Sequence, residues 1–138
     1  MTVFGVPKCL LMMVMLVYAA AAAADHVNKA VLLKDILKVV LELKNQSEIQ
    51  NMSLPKINNE CPPSFFCKAE EALKELNLPK NVNKKNLETL HRYLHQYNHL
   101  VPIEHSKCAP NVNHTFKVAA FLKEMRHCVI KALNKTTH

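Results

Sequence analysis

The chain has 138 residues, 18 Lys+Arg against 11 Asp+Glu, a formal net charge of +7 and a single glycine. That length holds one hydrophobic core and excludes a multi-domain machine. The scarcity of glycine argues against tight β-hairpins, phosphate loops and nucleophile elbows, which use it for positive φ or close backbone approach. The positive charge is spread along the chain with no dense Lys/Arg block. Such a distribution reads as solvated helix faces, with acidic glycans or an acidic partner as the sharper reading and no nucleic acid expected.

The first 24 residues read as a secretory signal peptide. "MTVFGVPK" is a weakly basic start, "CLLMMVMLVY" is apolar, and "AAAAAA" supplies small residues for cleavage after Ala24. A retained signal anchor is the alternative that the alanine tract makes less attractive. No later segment is apolar enough to span a bilayer, and "NKTTH" is too polar for a lipid-anchor tail. Residues 25–138 are thus expected to form one secreted domain. Past the leader, which holds Lys8, 17 basic side chains face 11 acids. Cys9 leaves with the leader. Cys61, Cys67, Cys108 and Cys128 remain, an even set that reads as two disulfides. They contain no CxxC pair, so zinc is a poor alternative. Four Asn-x-Ser/Thr sequons, at Asn45, Asn51, Asn113 and Asn134, fit passage through a secretory pathway.

Four segments carry helical periodicity. The first runs from about Val27 to Lys44, with Leu33, Ile36, Leu37, Val40 and Leu43 on one face. Residues 45–63 form a long polar connection ending in "CPP". Pro62, Pro63 and Ser64 then make a helix start, and the second helix is expected from Ser64 to Asn77. Its apolar stripe is Phe66, Ala69, Leu73 and Leu76, and Cys67 lies off it. After the short break "LPKNVN" a third helix spans about Lys84 to Leu100, with Leu87, Leu90, Leu94, Tyr97 and Val101 inward. "VPIEHSKCAPNVN" is a second long connection. The last helix is expected from Thr115 to Asn134, with Val118, Phe121, Leu122, Met125, Val129 and Ala132 inward.

The connections run long, short, long. At ~3.3 Å per residue the two long links reach roughly 60 Å and 40 Å. A helix of eighteen residues is only about 27 Å long. Each long link can therefore return the chain along a bundle, so that successive helices run parallel. This predicts an all-α fold: a four-helix bundle of up-up-down-down topology with two long crossover loops. A simple up-down bundle with slack loops is the alternative.

Several stretches then resemble one family. "LLKDILKVVLEL" resembles the first helix of the interleukin-4/interleukin-13 family of short-chain cytokines, and "FFCKAEEAL" its second helix. "SKCAPN" is similar to its C–D loop, and "FKVAAFLKEMRHCVIKAL" to its last helix. The resemblance covers most of residues 25–138. The interleukin-3/interleukin-5 group shares the fold and is a second candidate. The resemblance implies a secreted, monomeric ligand that brings together two single-pass cytokine-receptor chains and triggers immune-cell signalling. It implies no enzyme activity and no cofactor. Asp35 matches the family's acidic position on the first helix, and Arg92 is the local counterpart of its arginine on the third. Two departures stand out: the short B–C loop lacks the family's cysteine, and Cys128 lies inside the last helix.

The helical wheel places Val31, Asp35, Arg92, Lys123 and Arg126 off their core stripes, and the resemblance implies that they are the candidate receptor contacts. In the expected topology all four cysteines gather at one end. Cys67–Cys108, with Cys61–Cys128 by elimination, is the pairing favoured there, and topology leaves the others open. His91, His95 and His99 recur every four residues, a spacing that can hold a metal. "HRYLH" lacks the metalloprotease glutamate and no nearby carboxylate is evident to complete a ligand set, so no metal is expected. The competing class is a secreted basic helical protein acting on acidic glycans or membranes.

Overall fold

A computed structural model describes residues 28–57 and 60–136; the expected leader at 1–24 and its cleavage point lie outside them. The protein is mostly helical, with four helices and one small sheet. Helix α1 spans residues 28–44. Its buried face is Leu33, Ile36, Val40 and Leu43, all fully inaccessible, with Val39 beside them. Leu37, expected on this face, is only half-buried, because the stripe is turned toward Val39. The end of α1 leaves carbonyls without an intrahelical donor. The Gln50 side-chain amide donates to the Leu43 and Gln46 carbonyls at 2.8 and 2.9 Å and closes that end. A 3-10 turn, Ser47–Ile49, follows and buries Ile49.

Strand β1 is Ser53–Lys56 and lies in the first long connection. It pairs antiparallel with β2, Asn111–Lys117, in the second. The sheet was not expected, and its absence from the sequence reading has a physical cause. These strands come from connections far apart in the chain, so no glycine-dependent hairpin joins them. Pro55 sits inside β1, where a two-stranded ribbon tolerates it because every strand is an edge. Helix α4 is Val118–Thr136. It starts later than the expected Thr115, because residues 115–117 are paired with 53–55. The N–H groups of Val118 and Ala119 donate to the Met52 and Gln50 carbonyls at 2.8 and 3.2 Å. The first connection thus supplies acceptors to two donors that a helix start leaves unpaired.

Helix α2 is Phe65–Lys74, shorter than the expected span to Asn77. Phe65, Phe66, Ala69 and Ala72 carry its burial, while Leu73 and Leu76 are half-buried. Helix α3 is Lys85–Leu100, entered through Asn83, whose side-chain oxygen accepts from the Lys85 N–H at 3.0 Å. It buries Leu87, Leu90, Leu94 and Tyr97. Phe66 meets Tyr97 edge-on at 4.9 Å and Glu70 meets His95, so position numbers fall along α3 as they rise along α2. All four helices contribute to one core cluster, with Leu54 and Ile57 of the first connection included.

The structure joins Cys61 to Cys128 and Cys67 to Cys108, with Cα separations of 5.4 and 5.2 Å. Cys61 has φ of 51°, the one non-glycine residue at positive φ among those described. The chain has no glycine to place there, so an L-residue accepts a conformation that costs about 1–2 kcal/mol. Cys67 is buried, but by the α3–α4 connection rather than in the core cluster.

The Cys61–Cys128 bridge spans 67 positions of sequence. In the chain-entropy model a loop of that size is worth about 4 kcal/mol. The Cys61→Ala/Cys128→Ala double variant is expected to lose unfolding free energy on that scale, read from urea midpoints at matched slope. A loss under ~1 kcal/mol would show that the bridge constrains little.

Candidate functional site

Two neighbouring features meet on α3. The first is a groove of about 670 Å³ between α1 and α3, lined by Asn28, Val31, Leu32 and Asp35 from one side and His95, Gln96, His99 and Leu100 from the other. Val31 is 48% exposed, an apolar side chain left at the rim. Asp35 is half-buried, and among the described residues no cationic side chain lies within 4.0 Å of its carboxylate. Lys34 and Lys38 flank it in sequence and stay exposed without pairing to it. The groove therefore offers an unpaired carboxylate beside apolar surface.

The second feature is a buried carboxylate. Glu70 on α2 is 7% exposed. Its Oε1 accepts from the Asn98 side-chain amide at 2.9 Å, and that amide also donates to the Phe66 carbonyl at 3.1 Å. Its Oε2, an acceptor when ionised, lies 3.0 Å from His95 Nδ1, whose N–H donates to it. His91 Nε2 stands 3.9 Å from the same oxygen and is buried without a hydrogen-bond partner among the described residues. Lys74 Nζ is 4.0 Å away. Burial opposes ionisation of Glu70. The Asn98 and His95 hydrogen bonds and the charges of His95 and Lys74 outweigh it and hold the pKa below the ordinary carboxylate value. The result is a fixed anion at the α2–α3 seam. Cys67 and Cys108 border it and, bonded to each other, offer no thiolate.

His95 links the two features: it contacts Glu70 on one side and lines the Asp35 groove on the other. The three evenly spaced histidines are thus divided. His91 and His95 approach Glu70, and His95 and His99 line the groove. Among the described residues no group of three or more His, Cys, Asp or Glu side chains is arranged to hold a metal. Glu70 escaped the sequence reading, because a lone acid on a helix reads as solvent-facing. Its one sequence signal is its place between Phe66, Ala69 and Leu73 on the inward side of α2.

The other candidate residues are scattered. Arg92 is exposed, with its guanidinium carbon 5.6 Å from the Tyr93 ring centre, and it does not line the groove. Lys123 and Arg126 are exposed on α4, on the side away from Phe121, Leu122 and Met125, with Ile130 37% exposed near them. The groove brings Val31 and Asp35 together and leaves Arg92, Lys123 and Arg126 outside it. All four sequon asparagines are exposed. Asn113 lies in β2 rather than in a loop, and Asn134 near the end of α4. The chain matches no protein-family model, no curated protein and no solved structure.

A carboxyl whose folded pKa lies below its unfolded value binds fewer protons when folded. The stability it lends is complete above its unfolded value, near 4.5, and is lost as pH falls through the folded value. Glu70→Gln is expected to lower stability at pH 7 by about 1–3 kcal/mol. It should also flatten the loss of thermal midpoint between pH 5 and pH 3. A profile parallel to that of the unaltered protein would mean that Glu70 is not the acid-sensitive group.

Proposed function

We propose that the protein is a secreted short-chain four-helix cytokine whose α1–α3 groove binds a cytokine-receptor ectodomain. The observation that carries this reading is the antiparallel pairing of β1 with β2. Two long connections that run side by side in opposite directions are what an up-up-down-down bundle requires. In an up-down bundle both links would turn at one end and would have no reason to lie along each other. Contacts at the helix ends agree with that topology. The start of α1 shares the groove with His99 and Leu100 at the end of α3. Past the end of α1, the Gln46 amide donates to the Asn83 carbonyl before α3. Cys61, ahead of α2, is tied to the second half of α4.

The receptor reading joins that topology to the resemblance of the helices to the interleukin-4/interleukin-13 family. The expected contacts are Asp35 and Val31 in the groove, with Arg92 further along α3. Lys123 and Arg126 lie on α4, where a second receptor chain would bind. Secretion draws support from the two disulfides, which form and persist in oxidising compartments. No helix among the described residues is long and apolar enough to cross a membrane.

Among the described residues Asp35 has no cation to lose, and it lies half-buried off the core stripe, so its removal spares the fold. Truncating one member of a desolvated interfacial charge pair costs about 2–5 kcal/mol, roughly 30-fold or more in affinity. Against a panel of cytokine-receptor ectodomains, Asp35→Ala is expected to keep its thermal midpoint and helical signal and to lose binding on that scale. A change within about threefold would remove Asp35 from the interface; no binding by the unaltered protein to any member would remove the receptor reading. A second expectation concerns the sequons. Protein secreted by eukaryotic cells should lose mass on enzymatic removal of N-glycans from at least two of Asn45, Asn51, Asn113 and Asn134. An unchanged mass counts against secretory passage.

A further inference from the structure

The β1–β2 ribbon does not pair evenly. Pro55 faces Thr115, but the next residue, Lys56, faces Asn111. Residues 112–114 of β2 therefore have no partner in β1, and the register shifts there. Beside this step lies a pocket of about 440 Å³, lined by Lys56, Ile57, Lys68, Ala109, Asn111 and His114. That volume falls within the range of small-ligand sites.

The walls of the pocket are held by covalent geometry. Lys68 follows Cys67 on α2 and Ala109 follows Cys108, and these two cysteines are bonded with Cα atoms 5.2 Å apart. The disulfide thus fixes the α2 wall against the connection wall, while the ribbon step supplies the third side. The pocket's charge is of one sign. Among the described residues two lysines and a histidine line it, and no acid does. Among the described residues only Lys74 and Lys107 have a carboxylate within 4.0 Å, so neither pocket lysine is neutralised from within. Many lysines on this protein are unpaired, but here two converge on one concavity. Ala109, which is exposed, adds apolar surface to the lining, with the buried Ile57 behind it.

We propose that this pocket binds a sulfated or carboxylated glycan chain. A pyranose ring presents C–H faces to apolar side chains while its acidic substituents project at the edges. Two lysines and a histidine beside the exposed Ala109 match that distribution of groups. Asn111 adds an amide that can donate to a sulfate oxygen and accept from a ring hydroxyl. The site lies away from the α1–α3 groove and shares no lining residue with it, so it stands or falls independently of the receptor reading.

The test measures binding of a heparin-derived hexasaccharide to the enzymatically deglycosylated protein across a series of NaCl concentrations. Lys56→Ala/Lys68→Ala is expected to weaken binding about tenfold. It should also reduce the slope of log affinity against log salt by about two. Lys80→Ala/Lys84→Ala removes the same charge from the α2–α3 link and should stay within about twofold of the unaltered protein. His114→Ala should weaken binding without changing the far-ultraviolet circular dichroism. Equal losses in the two double variants would overturn the pocket in favour of net charge alone. Absence of saturable hexasaccharide binding overturns it outright. So does binding to vesicles containing phosphatidylserine with none to the hexasaccharide, because that would place the polyanion in a membrane.

Discussion

Cys61 and Cys67 bracket the entry to α2, and each ties that entry to a different part of the chain. Cys61 holds it to α4 and Cys67 holds it to the α3–α4 connection. A short helix of ten residues is too small to be stable by propensity alone. With both disulfides at its start, α2 becomes the fixed piece against which the rest is positioned. Its N-terminal turn sets Phe66 against Tyr97 and Glu70 against His95, and so fixes α3. Through Cys108 it also determines where the second connection turns back toward β2.

Around that anchor, packing and electrostatics are unequal partners. The core is apolar and continuous across all four helices. The Glu70 cluster is the one place among the described residues where a charged side chain is buried. Replacing a buried charged group by a well-packed apolar one is often neutral, whereas removing one partner is costly. The cluster is therefore better regarded as a device for register than as a source of net stability. Asn98 bonds both Glu70 and the Phe66 carbonyl, and this double contact fixes how far α3 slides along α2.

The helices were legible because burial repeats at helical spacing. Leu87, Leu90, Leu94 and Tyr97 could be read directly, as could most of the α4 stripe. Rotation of a stripe was harder. In α1, Leu37 and Val39 are both apolar, and only the neighbouring elements decide which is covered. The ribbon was not legible. β1 has four residues, one of them Pro55, and its partners Thr115, Phe116 and Lys117 fall where the pattern reads as the start of the last helix. The candidate groove was half legible. Asp35 and Val31 follow from the wheel, but their neighbours His95 and His99 depend on which helix packs beside α1. Glu70 was hidden for the same reason, since its partners belong to another helix.

The covalent bonds are distributed unevenly. Cys61, Cys67 and Cys108 cluster where α2 begins and α3 has ended, and Cys128 joins them from α4. The opposite turn, residues 75–84 between α2 and α3, has no crosslink, and most of its side chains are exposed or half-buried. Such a molecule opens from one side. Backbone amides at the end of α2 and the start of α3 are expected to exchange through local opening, and those beside the bridges only when the whole domain unfolds. The two ends of α2 are thus expected to differ in lifetime, although they share one core.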